Sequence, residues 1–296
     1  MFRYILDGVI LMTSKYRQIL YVPIWTGCMA VVGVIIPFSS EHTTSKQEDE
    51  AVQSVEKQSI DTTTYVISED GGEEGPAWAR NQGLERAEER YIAFLDADDL
   101  WLSGKLRKQL DRLKKTGKGL CLEGKSMSSE QFIKRVLAGE ILGVTSSIVI
   151  DTQRVTIDFD ETLPRREDHE FLIRAAVEAG VCFCTNLIET RKHDTGMTSD
   201  TTKKMHLKSG HLLAKKVECE LEDASLYLPY LYQGITYDEA MYAFEDKKFL
   251  TALKKFLLAW RIKPTSAKGL RAVPGSALCI SEPITRYFGM SIWKPN

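Results

Sequence analysis

The 296-residue chain has little net charge, few cysteines and no internal repeat, and each shortage removes a class of function. Its 39 Lys and Arg stand against 41 Asp and Glu, a net charge of −2, which argues against a dedicated nucleic-acid binder. The six cysteines (Cys28, Cys121, Cys182, Cys184, Cys219 and Cys279) show neither paired metal-ligand spacing nor the density of a disulfide scaffold. Cys182 and Cys184 fall on one face of a strand and read as core thiols; a reducing cytoplasm is the natural compartment. No period recurs, which excludes a solenoid. Residues 1–28 are apolar in patches but broken by Asp7, Lys15, Arg17 and Pro23, so neither a clean signal peptide nor a spanning helix fits. They read as a leader, with Met29 an alternative start. At 296 residues and 43% hydrophobic content the chain can bury one large domain with an appendage.

What is present is an alternation of apolar runs and helical periods. Val31–Phe38 (VVGVIIPF) and Tyr91–Leu95 (YIAFL) read as buried strands, as does Tyr65–Gly72 (YVISEDGG). Glu48–Gln58 reads as a helix with Ala51, Val52 and Val55 inward, and Pro76–Arg90 as one burying Ala79, Gly83, Leu84 and Ala87. Ser103 is placed as the cap of a helix buried along Leu106, Leu110 and Leu113, with Lys105, Arg107 and Lys108 outward. Ser128-x-x-Gln131 is a capping box, and Gly143–Ile150 reads as a strand. This order predicts an α/β fold with a mostly parallel sheet. Asp70 and Asp96 then leave the carboxyl ends of parallel strands into one crevice, where open α/β sheets bind ligands. Asp96-Ala97-Asp98 could seat Mg²⁺ or Mn²⁺ carrying a diphosphate; the other reading is a helix cap with solvated acids. No glycine lies in Phe38–Ser45, after the first of these strands, which argues against a nucleotidyltransferase with a Gly-rich phosphate loop.

VVGVIIP, VISEDGG, ARNQGLERAEERYIAFLDADDLWLSGKLRKQL and LPRREDHEF, in that order over residues 30 to 200, resemble the family 2 glycosyltransferases, inverting enzymes of GT-A fold. The resemblance implies a GT-A domain over 29–202, and the pattern beyond it reads as a helical region over 203–296. It places Pro37, Glu69, Asp70, Arg80 and Asp96 around the donor nucleotide, Asp98 as the ligand of Mg²⁺ or Mn²⁺, and Asp168 as catalytic base. An inverting transfer needs such a carboxylate opposite the leaving group, to take the acceptor proton, and cationic charge on the departing diphosphate. Glu167-Asp168-His169-Glu170 reads as a first helical turn, where the dipole favours ionised acids. Arg165, Arg166, Glu167 and His193 are candidate donor or acceptor contacts, and Thr145 to Ser147 lie by analogy near the acceptor pocket. The chain departs from the family pattern at Phe38-Ser39-Ser40, Glu69 and Gly72.

The expected reaction moves a sugar from a nucleotide donor, a UDP-sugar first, to a glycan or lipid-linked acceptor in the cytoplasm. The competing class is a non-catalytic sugar-nucleotide sensor or interaction scaffold. From Lys203 the pattern turns helical, with a tetratricopeptide-like hairpin over Asp238–Ala259 ending at Pro264. Lys247 to Arg271 holds eight Lys or Arg and no acid, interleaved with Phe249, Phe256 and Trp260. It reads either as a peripheral contact at the inner face of a membrane or as a helix docked by its apolar side on the catalytic domain.

Overall fold

The computed structural model describes residues 4–6, 9–11, 31–41, 43–69, 75–141, 145–189, 200–264, 266 and 268–277. Strands β1 (Tyr4–Leu6) and β2 (Val9–Leu11) pair antiparallel; the rest of the leader, with Met29, lies outside the described residues. There follow β3 (Val32–Phe38), α1 (Ser45–Glu56), β4 (Thr62–Ser68), α2 (Pro76–Arg86), β5 (Tyr91–Phe94), β6 (Leu100–Trp101), α3 (Lys105–Thr116), β7 (Leu120–Glu123) and α4 (Ser129–Leu137). Then come β8 (Val149–Asp151), α5 (Glu167–Ala179), β9 (Val181–Cys184), β10 (Ile188–Glu189), α6 (Asp200–Glu220), α7 (Ala224–Glu245) and α8 (Phe249–Ile262). Residues 268–277 are also helical.

Six strands form one sheet in the order β4-β3-β5-β8-β7-β9. Only β8 runs antiparallel to its neighbours. The strand period of two divides each strand between two cores. Val32, Val34 and Ile36 meet α1 and α3 on one face, while Ile35, Ile92 and Phe94 meet α2, α4 and α5 on the other. Leu213, Ala214 and Val217 of α6 and Leu231 and Ile235 of α7 belong to that second core. The apolar interior is therefore continuous across residue 202.

Several local expectations are corrected. β4 begins at Thr62 and is an edge strand in which only Ile67 is buried; residues 70–72 lie outside the described residues. The helix from Pro76 stops at Arg86, because Ala87 turns to extended backbone to lead into β5. Gly143–Ile150 is not one strand: Thr145–Ser147 form a 3-10 turn and β8 starts at Val149, while 142–144 lie outside the described residues. The α3 cap is Gly104 at φ 76°, not Ser103.

Lys105 does not face outward. It is wholly buried with Gln109, because the buried arc of α3 widens on one side of the leucine stripe to take in positions 105 and 109 and the Trp101 ring lies against it. The Lys105 ammonium lies 4.0 Å from the Trp101 ring centre, while Gln109 Nε2 donates to the carbonyls of Cys121 and Ser147. At the other end of the chain, the first hairpin helix starts at Ala224 rather than Asp238. α8 buries Ala252, Phe256 and Ala259 in a small separate core with Ala240 and Ala243 of α7 and with Ala272.

Candidate active site

The site assembles where β3, β4 and β5 end. β3 outruns β5: the carbonyl of Ile35 still accepts from Leu95, whereas Phe38 accepts from Glu69 on the β4 side. Pro37, buried between them, therefore lacks an N–H on the side where no ladder remains, a position a strand proline tolerates. Glu69 follows β4 directly and is half-buried. Asp70 and His193 lie outside the described residues.

Arg80 is the hub. It sits one turn into α2, whose first position is Pro76, and is 4% exposed. Its Nη2 donates to Asp96 Oδ1 at 2.9 Å and its Nη1 to Glu167 Oε1 at 3.1 Å. One guanidinium thus ties the end of β5 to the first turn of α5. The Phe159 ring lies 5.3 Å from it and stacks on Phe171 of α5. Burial works against the Arg80 charge, but Asp96 and Glu167 more than offset it and raise its pKa. Asn81, beside it, exchanges hydrogen bonds with the backbone of Phe159, donating at 3.0 Å and accepting at 2.8 Å.

The loop carrying the aspartates is clipped from the opposite side. The Asp96 amide donates to Ser146 Oγ at 3.1 Å, Ser146 Oγ donates to Asp99 Oδ2 at 2.5 Å, and Trp101 Nε1 donates to the Ser146 carbonyl at 2.7 Å. Thr145, Ser146 and Ser147 are buried, so these side chains staple the loop rather than line an open pocket. Asp98 stands half-buried between two anchored aspartates. Among the described residues no group of three or more His, Cys, Asp or Glu is gathered closely enough to hold a metal alone.

α5 opens on Arg166, a non-glycine residue at φ 66°. Glu167, Asp168 and Glu170 occupy its first turn. The two outermost acids differ in surroundings. Burial and the neighbouring Asp168 charge raise the Glu167 pKa against the opposing pull of Arg80, whereas Asp168 is half-buried and accepts from the His169 amide at 2.7 Å. Burial pushes the His169 imidazole pKa down against the neighbouring Asp168 charge, helped by Arg166 and Lys268. Arg165 is half-buried. Arg166 is engaged inside the fold, its Nη2 donating to Asp238 of α7 at 2.8 Å. Lys268 donates to the same carboxylate at 2.9 Å. Arg174 Nε and Nη2 donate to the two carboxylate oxygens of Glu170.

Residues 44–143 match the family model "Glycosyl transferase family 2". That stretch is a family 2 glycosyltransferase segment. A putative teichuronic acid biosynthesis glycosyltransferase, TuaG, of Bacillus subtilis is 45% identical over 56 residues, 19% of this chain and 22% of the relative. WfgD of Escherichia coli, a UDP-Glc:alpha-D-GlcNAc-diphosphoundecaprenol beta-1,3-glucosyltransferase, is 29% identical over 109 residues, 29% of this chain and 42% of the relative. The chain thus spans less than half the length of either. The fold is shared with S. aureus TarS 1-349, crystallised with UDP-GlcNAc: TM-score 0.56 at 16% identity, over 88% of this chain and 93% of that one. The glycosyltransferase fold accounts for the mostly parallel sheet and its flanking helices. Asn81 and Asp238 escaped the sequence reading, and Ser146 was expected near the acceptor pocket rather than as the clip on the aspartate loop; Asn81 stood next to the singled-out Arg80, but Asp238 gave no signal, since its partners are 72 and 30 residues away.

Proposed function

We propose that the chain is an inverting glycosyltransferase that passes a sugar from a nucleotide-diphosphate donor, a UDP-sugar first, to the hydroxyl of a glycan or lipid-linked acceptor. The observation that carries this is the Arg80 bridge from Asp96 to Glu167, which fixes the strand-end aspartates against the first turn of α5. Asp168, on that turn, is the proposed general base. It accepts from the His169 amide on that turn and is not engaged by Arg80, the contact that occupies Glu167. Asp96, Glu69, Pro37 and Arg80 are the proposed nucleotide contacts, together with Asp70, which lies outside the described residues.

The donor set at the loop fits a hard divalent cation. Such an ion takes one or two carboxylates and completes its shell with phosphate oxygens. Asp98 is the residue proposed to hold Mg²⁺ or Mn²⁺, with Asp96 kept in place by Arg80 and Asp99 by Ser146. When bound, the ion supplies positive charge to the leaving diphosphate. The protein's own part is to hold these acids in fixed order and to accept the acceptor's proton at Asp168.

Calorimetric titration of UDP, with and without Mn²⁺, tests the reading. Metal-dependent binding that Asp98→Asn abolishes is the expected outcome. Asp168→Asn should keep UDP binding and lower turnover by a factor on the order of 10²–10⁴, the usual contribution of a general base. Unchanged turnover in Asp168→Asn would remove the base assignment. Absence of binding to UDP, GDP and dTDP by folded protein would leave the scaffold class.

A further inference from the structure

We propose that α8 and the helical segment 268–277 form a docking surface for an anionic lipid membrane, a property independent of the transferase reading. α8 turns Ala252, Phe256 and Ala259 to the small core and leaves Leu250 (67% exposed), Leu257, Leu258 and Trp260 in solvent. Residues 268–277 bury Ala272 in the same core and expose Leu270 and Val273. Half the large exposed apolar residues of the described chain are these six. A helix merely docked on the catalytic domain would hide its leucines and wet its lysines.

At 3.6 residues per turn, positions 250, 254, 257 and 261 fall on one outward line, so leucine and cation alternate along it: Leu250, Lys254, Leu257, Arg261. Long basic side chains beside exposed leucines can keep their charges at headgroup level while the leucines enter the acyl boundary. Lys248, Lys255 and Lys268 are paired with Asp246, Glu239 and Asp238, whereas Lys247, Lys254, Arg261 and Arg271 are exposed in a stretch without one acidic residue. Charge of one sign over an exposed apolar row is complementary to an anionic lipid surface. No helix among the described residues is long and apolar enough to cross a membrane, so the contact is peripheral.

Co-sedimentation of the full chain with phosphatidylglycerol-containing vesicles and with pure phosphatidylcholine vesicles tests this. Binding should require phosphatidylglycerol and weaken between about 0.1 and about 0.5 M salt, as the screening length shrinks. Lys254→Gln with Arg261→Gln should lower partitioning roughly fivefold per charge removed. Leu250→Ser with Leu257→Ser should abolish it while circular dichroism and UDP affinity stay unchanged. Equal binding to both vesicle types, no binding, or full binding by either double variant overturns the proposal. A dimer seen by light scattering that Leu257→Ser dissociates, without vesicle binding, assigns the face to a second copy and overturns it too.

Discussion

Lys105 shows how far one side chain can depart from its helical-wheel position. Its stem is buried and its Nζ makes no hydrogen bond among the described residues, leaving the Trp101 ring face as partner. Burial lowers its pKa to about 7. Between about 7 and the ordinary lysine value, the unfolded chain holds a proton that the folded chain has lost. Stability therefore rises with pH across that window and is reduced by the full amount at and below its lower end. Lys105→Met removes the linkage and fills the same space. It should stabilise the protein at pH 7 by something on the order of 3 kcal/mol and flatten the pH dependence between 7 and 10. Urea denaturation of parent and variant across that range checks it; an unchanged slope would show that the ammonium finds water. An outward lysine is the default for a sequence reading, and only the return of Trp101 beneath the helix reverses it.

At the scale of elements, the regular parts of the fold were legible because local pattern and tertiary position agree. The β3 and β5 runs are apolar throughout and lie inside the sheet, and the Ser128 box caps α4 as its spacing requires. β4 and the 145–147 turn were misread because their residues resemble those of central strands, while their place at an edge or beneath a loop is set by partners distant in sequence. The approach of α2 to β3 is another such feature, and it positions the site. A Cβ at Gly83 would stand 2.4 Å from Ile35 Cγ2, with two further Ile35 carbons within 2.9 Å, and Ile35 has no exposed surface into which to move. Gly83→Ala gains roughly 1 kcal/mol of helix propensity but sets it against about 1–3 kcal/mol of overpacking. A small net loss of stability is expected. The sharper effect should fall on UDP affinity, since Arg80 lies one turn earlier on the same helix face and would be lifted from Asp96 and Glu167. Wild-type affinity in Gly83→Ala would mean that α2 yields without moving Arg80.

For the whole molecule, the question is whether the helical region serves the catalytic half or merely adjoins it. The sequence divides the chain near residue 202, but α6 and α7 share the core of α4 and α5, and α7 carries the one acid that gathers Arg166, Lys268 and, at 3.9 Å, His206. Burial, followed by the Arg166 charge, lowers the His206 pKa to about 4, so it adds no positive charge near neutrality. Asp238 alone among these side chains balances two nearly buried cations, one of which begins the helix that bears Asp168. Replacing it by Asn keeps the shape and removes the charge. Breaking a buried pair in this way costs about 3–5 kcal/mol, so Asp238→Asn should lower the urea midpoint strongly. Arg166 would also lose the contact that accompanies its left-handed backbone, and Asp168 would lose its fixed entry into the site. Turnover should therefore fall while UDP, whose proposed contacts lie at the ends of β3, β4 and β5, binds as before. Hydrogen exchange should rise in α8 and 268–277 and in the first turn of α5 together. If the C-terminal helices loosen and turnover is unaffected, the link through Asp238 is one of stability alone, and the first turn of α5 is held by Arg80 and Glu167 without help from the helical region.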